Sequence, residues 1–139
     1  MKKILFLILL LIPTSSFSNE QAWNLLREGN KIVFIRHSLA PGGGDPANFN
    51  LKNCKTQRNL STTGIEQSKR IGELFKQNKV PIDKVFSSQW CRCKDTAFHA
   101  FGEYEEFFAL NSTFQAEFSG NETEQRKALK KYVKEWNGN

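Results

Sequence analysis

The feature that most restricts the fold of this chain is a short run, Lys31-Ile32-Val33-Phe34-Ile35, followed at once by Arg36 and His37. Its β-branched and aromatic residues show no polar alternation. A strand apolar on both faces is stable only where helices cover both sides of a sheet, so the run predicts a buried strand of a parallel sheet. Downstream, Gly42-Gly43-Gly44 with Pro41 and Pro46 breaks regular structure, and the stretch to Arg58 reads as a long loop over the sheet edge. Ser61 and the two threonines after it offer helix N-caps, and Thr63 with Glu66 has capping-box spacing. Ile65, Ile71, Leu74 and Phe75 then recur near the helical period to about Asn78. A second strand is predicted at Lys84 to Phe86, a helix at Trp90 to Phe101 stopped by Gly102, and a third strand at Phe107 to Leu110. A charged amphipathic helix follows at Glu122 to Trp136. Strands alternating with helices specify an α/β domain with a mainly parallel sheet.

The first eighteen residues stand apart from this pattern. Lys2 and Lys3 precede an unbroken apolar run from Ile4 to Ile12, then Pro13 and small residues ending at Ser18. That order is the order of a secretory signal, with residues 1–18 removed after Ser18 and 19–139 left as the domain. The apolar run is too short to span a bilayer well, so no stable membrane anchor is expected after cleavage, and the location is periplasmic or secreted. Without Lys2 and Lys3 the 20 basic residues become 18 against 14 acidic ones, a net charge of +4. The positive charges are scattered, with no basic blocks interleaved with aromatics, which argues against nucleic acid as a partner. The three cysteines, Cys54, Cys91 and Cys93, leave at least one thiol unpaired. In an oxidising compartment a bridge from Cys54 to either Cys91 or Cys93 is favoured, whereas zinc lacks the ligand spacing it requires.

Ligands of parallel sheets collect beyond the carboxyl ends of the strands. Arg36 and His37 leave the first predicted strand there, and Arg92 lies in the first turn of the helix entered through Ser87-Ser88. A helix amino terminus offers free N–H groups and the positive end of its dipole, so Arg92 beside it suits a phosphate or carboxylate. Arg58, just before a helix start, is a further candidate phosphate contact.

These residues resemble a known family. Ile35-Arg36-His37-Ser38 is similar to the Arg-His-Gly motif of the histidine phosphatase superfamily, and Leu60-Ser61-x-x-Gly64 to its helix start. Ser87-Ser88-Gln89-Trp90-Cys91-Arg92-Cys93-Lys94-Asp95-Thr96-Ala97 resembles its Ser-Ser-x-x-x-Arg-x-x-x-Thr-Ala segment. The resemblance implies a phosphoglycerate mutase-like three-layer sandwich. It also implies phosphoryl transfer through a phosphohistidine on His37, with Arg36 and Arg92 holding the equatorial oxygens and no metal or other cofactor. An acid protonates the leaving oxygen, and Glu117 is the best-placed carboxyl for that role.

The departures are specific. Ser38 stands where the motif has glycine. The family's second pocket histidine has no counterpart: His99 lies seven residues beyond Arg92, about 10 Å along the same helix. The last helix ends at Asn137-Gly138-Asn139 with no further strand, so the fold is expected to be C-terminally incomplete. The expectation is an exported phosphomonoesterase acting on a small phosphorylated substrate, such as a sugar phosphate or lipopolysaccharide-core phosphate. The alternatives are an impaired phosphate-binding remnant and a thiol protein working through Cys91 and Cys93.

Overall fold

The computed structural model describes residues 15–138. The apolar run at residues 4–12 lies outside them, and α1 spans Ser15–Arg27. The two helices that position the site are α2, Thr62–Gln77, and α3, Cys91–Phe101. Ser61 caps α2: its side-chain oxygen accepts from the Gly64 N–H at 3.1 Å, satisfying one of the donors a helix start leaves free. The expected Thr63–Glu66 box does not form. Ser61 already supplies the cap two residues earlier, and the Glu66 carboxylate pairs with Lys69 at 2.7 Å.

The two helices pack closely because glycine leaves room. A Cβ on Gly72 of α2 would lie 1.8 Å from the Ala100 carbonyl oxygen of α3. One turn from the start of α2, a Cβ on Gly64 would lie 2.1 Å from the Leu39 carbonyl oxygen. That same carbonyl accepts from the Ser61 N–H at 3.0 Å, so the segment following His37 is clamped onto the start of α2. Gly102 ends α3 in the left-handed region at φ 85°, where glycine carries no Cβ penalty.

The sheet among the described residues consists of two short parallel strands, β1 at Phe86–Ser87 and β2 at Glu105–Glu106. This is an α/β arrangement, and the described residues do not build a three-layer sandwich. Two strand expectations are corrected. The segment from Lys31 to Ile35 is not a doubly buried strand: among the described residues it pairs with no strand, and Val33, Phe34 and Ile35 are 47%, 63% and 43% exposed. The segment and β1 both line one cavity of about 300 Å³, and among the described residues neither meets a backbone partner there. The strand expected at Phe107–Leu110 is instead β2, at Glu105–Glu106. The Phe107 N–H makes a last bond to the Ser87 carbonyl at 2.8 Å, then Phe108–Leu110 turns as a 3-10 helix toward Gln125. The four-residue α4, Ala116–Ser119, precedes α5, Glu122–Glu135, which packs on that turn.

Candidate active site

His37 follows the unpaired segment, and its orientation is set by its own neighbour. Nδ1 lies 2.7 Å from the Ser38 carbonyl oxygen. A carbonyl can only accept, so Nδ1 carries the proton and the neutral ring presents Nε2 with its lone pair, the form a nucleophile needs. Burial is the main cause that lowers the pKa of His37. The Ser38 bond opposes the fall, and the charges of Arg92, Arg58 and Arg36 add to it. Three guanidinium groups therefore act on one imidazole that stays neutral near pH 7.

Ser38, where the family motif has glycine, is built into the structure. It is 2% exposed, its N–H donates to Thr96 Oγ1 at 3.0 Å, and its hydroxyl accepts from Ser68 Oγ at 2.8 Å. Thr96 in turn donates to the Arg92 carbonyl at 2.7 Å. One chain of bonds thus links the residue after the histidine to the backbone of α3 at Arg92. Thr96 belongs to the same Ser87–Ala97 motif as Arg92. Ser68 carried no comparable signal, since a serine inside a helix usually faces water.

Arg92 is buried, and its Nη1 donates to Asp45 Oδ1 at 2.8 Å and to the Arg58 carbonyl at 3.5 Å. Asp45 sits in the loop after Gly42-Gly43-Gly44. Its carboxylate also accepts from the Arg58 N–H at 2.9 Å and the Trp90 indole N–H at 3.1 Å. Burial alone would raise the Asp45 pKa, but the Arg58, Arg92 and Trp90 donors outweigh it, so its pKa falls and the group stays ionised. Arg58 donates through Nη1 to the Ala40 carbonyl, and burial followed by the charge of Arg92 depresses its pKa. Nε of Arg58 and Nε of Arg92 are both buried without a hydrogen-bond partner. A buried donor left unmade costs on the order of 1–3 kcal/mol, more when charged, so two such donors, on arginines whose charges both act on His37, mark a place that suits an anion.

A disulfide between Cys54 and Cys91 staples the loop to the first residue of α3, and Gln57 Oε1 accepts from the Cys91 N–H at 2.9 Å. Cys93 is the free thiol, and burial raises its pKa above the ordinary value. A thiol held protonated is a poor nucleophile, which weighs against chemistry through Cys93.

Arg36 is exposed and reaches His37 through its charge. Glu117 is exposed on α4, whose Phe118 packs edge-on against Trp90 at 5.3 Å between ring centroids. His99, partly buried, stacks edge-on with Phe98 and does not line the cavity that His37 reaches. The residues gathered around His37 by hydrogen bonds and charge are thus Arg36, Arg58, Arg92, Ser38 and, through Arg92, Asp45. Asp45 escaped the sequence reading. A single acidic residue in a glycine- and proline-rich loop is ordinarily a turn former, and nothing local reveals its partner 47 residues away.

Compared with known protein families, residues 32–138 match the family described as histidine phosphatase superfamily (branch 1). The chain belongs to the histidine phosphatase superfamily, and its general chemistry is that of a phosphatase- or mutase-type enzyme. Neither curated proteins nor solved structures gave a match.

Proposed function

We propose that this protein is an exported phosphomonoesterase that forms a phosphohistidine on His37. The observation that carries the reading is the pair of buried, unpartnered Nε–H groups on Arg58 and Arg92 beside a neutral imidazole whose Nε2 is unprotonated. A tetrahedral dianion supplies the acceptors those donors lack, and its charge relieves the crowding of guanidinium groups. In the first step Nε2 attacks phosphorus in line, the P–O bond to the leaving group breaks, and an acid returns a proton to the departing oxygen. In the second, water cleaves the P–N bond, releasing phosphate and restoring the imidazole. Asp45 is unsuited to be that acid because it is held ionised; Glu117, next to Phe118 at its contact with Trp90, is the proposed donor.

Export is supported by the Cys54–Cys91 disulfide, a bond that persists in oxidising compartments. A small sugar phosphate or lipopolysaccharide-core phosphate fits such a location. A wider parallel sheet, as the family resemblance implies, is supported by the free edge of β1 and the unpaired segment 31–35 facing one another across an apolar cavity.

The test is to trap the phosphoenzyme from p-nitrophenyl phosphate carrying a radiolabelled phosphoryl group. Acid-labile, base-stable label is expected on the wild-type chain and none on His37→Ala. Equal labelling of the variant would reject His37 as the nucleophile.

A further inference from the structure

The best-bonded charged group near the arginines is Asp45, whose side chain is 5% exposed against 10% for Arg92. A carboxylate in an anion site can act in two opposite ways. It can be a counter-ion that an incoming phosphate must displace, or a fixed brace that turns a guanidinium toward the ligand. The bonding pattern separates the two. Oδ1 accepts from Arg92 Nη1 and the Arg58 N–H, and Oδ2 accepts from the Trp90 indole. Displacing the carboxylate would strand three donors, two of them immobile parts of the backbone and of a ring that is 1% exposed. The Trp90 ring is itself held by stacking against Phe49, four residues along the loop from Asp45, with ring centroids 5.6 Å apart.

The guanidinium geometry adds the second half. Nη1 lies at one end of the fork, while Nε and Nη2 form the opposite side, the edge that grips an oxyanion in two parallel bonds. Among the described residues, every hydrogen bond that Arg92 and Arg58 make from their guanidinium groups leaves through Nη1. Both arginines thus keep the same bidentate edge unused, and in both the Nε on that edge is buried without a partner.

We propose that Asp45 is a positioning residue that holds Arg92 by Nη1 and the Arg58 backbone by its N–H, so that both guanidinium groups present their Nε–Nη2 edges to one phosphate. The proposal rests on the phosphate-site reading above and deepens it. Removing the Asp45 charge takes a repelling anion away from the site and, at the same time, releases Arg92. If the brace dominates, phosphate binding weakens; if repulsion dominates, it strengthens. The sign therefore decides.

Orthophosphate affinity of the full chain, measured by titration calorimetry, is compared among wild type, Asp45→Asn, Arg92→Ala and the double variant. Asp45→Asn is expected to weaken binding roughly tenfold, within the range seen for directly coupled residues. In the Arg92→Ala background the same change is expected to alter affinity less than about twofold, because the charged partner is gone and the asparagine side-chain oxygen can still accept from the Arg58 N–H. Tighter binding by Asp45→Asn overturns the proposal, as does an equal loss in both backgrounds, which would mean Asp45 acts through the fold alone. If Arg92→Ala itself binds orthophosphate as well as wild type, the underlying phosphate site falls and the brace with it. A measurement without substitution guards against an unfolded variant: in the NMR spectrum of the wild-type chain, the Arg92 and Arg58 Nε–H signals should both move on saturation with orthophosphate. A stationary Arg92 signal overturns the proposal on its own.

Discussion

Breaking the Cys54–Cys91 bridge should remove a large share of the stability of this protein. The two cysteines are 37 residues apart in sequence, so in the unfolded chain the bridge closes a loop of about that length. The chain-entropy relation gives about 4 kcal/mol for such a loop at 25 °C. Domains of this size are commonly stable by only about 5–15 kcal/mol, so the loss would bring the protein close to its unfolding limit. The effect is also local, because the bridge ties the 3-10 turn at Cys54–Thr56 to the first residue of α3, directly before Arg92. Urea unfolding followed by tryptophan fluorescence suits the measurement, since Trp90 lies beside the bridge in an aromatic cluster with Phe49 and Phe118. Cys54→Ala/Cys91→Ala should unfold at a much lower urea concentration than the oxidised wild type. Cys91→Ala alone should lose about as much, because Cys93 lies two residues along the helix and so about 200° around it, facing away from Cys54. A loss below about 1 kcal/mol in the double variant, or full rescue by a Cys54–Cys93 bridge, would refute the reasoning.

Further tests follow from the same structure. Because burial and three nearby guanidinium groups hold the His37 pKa below 6.5, activity that needs the neutral ring should already be at its plateau near pH 7, and NMR titration of the imidazole should place its midpoint on the acid side of 6.5. The linkage has a definite sign: the unfolded chain takes up the proton first as pH falls, so the His37 contribution to stability is complete above 6.5 and is lost as pH drops through the folded value. His37→Gln should flatten that part of the pH–stability curve, and an unchanged curve would contradict the shift. Gly64→Ala should destabilise by at least the 1–3 kcal/mol typical of overpacking, since the added carbon would lie 2.1 Å from the Leu39 carbonyl oxygen. Gly43→Ala, with nothing within 4 Å, serves as the control, and equal melting temperatures for the two variants would show that α2 can move away from Leu39.

Much of this protein was legible from local chemistry. The helices α2, α3 and α5 follow from apolar spacing, a Ser61 cap and the Gly102 stop, all of which act within one or two turns of chain. Arg36, His37 and Arg92 were visible because each sits in a short motif whose residue types carry their own chemical meaning. The strands were read less well. A run such as Lys31–Ile35 has strand composition, but a strand exists only when another backbone edge meets it, and across the cavity none of the described residues does.

The choice between Cys91 and Cys93 and the role of Asp45 lay beyond any local pattern. Both depend on where a glycine- and proline-rich loop comes to rest against the start of α3, and that is settled by contacts 34 to 47 residues apart: the Gln57 bond to Cys91, the Asp45 bond to Arg92 and the disulfide. Local propensity acts over a few residues and cannot register such distances. The amino acids therefore declare which groups can carry phosphoryl chemistry, while the folded loop determines which edge of each arginine is left to use.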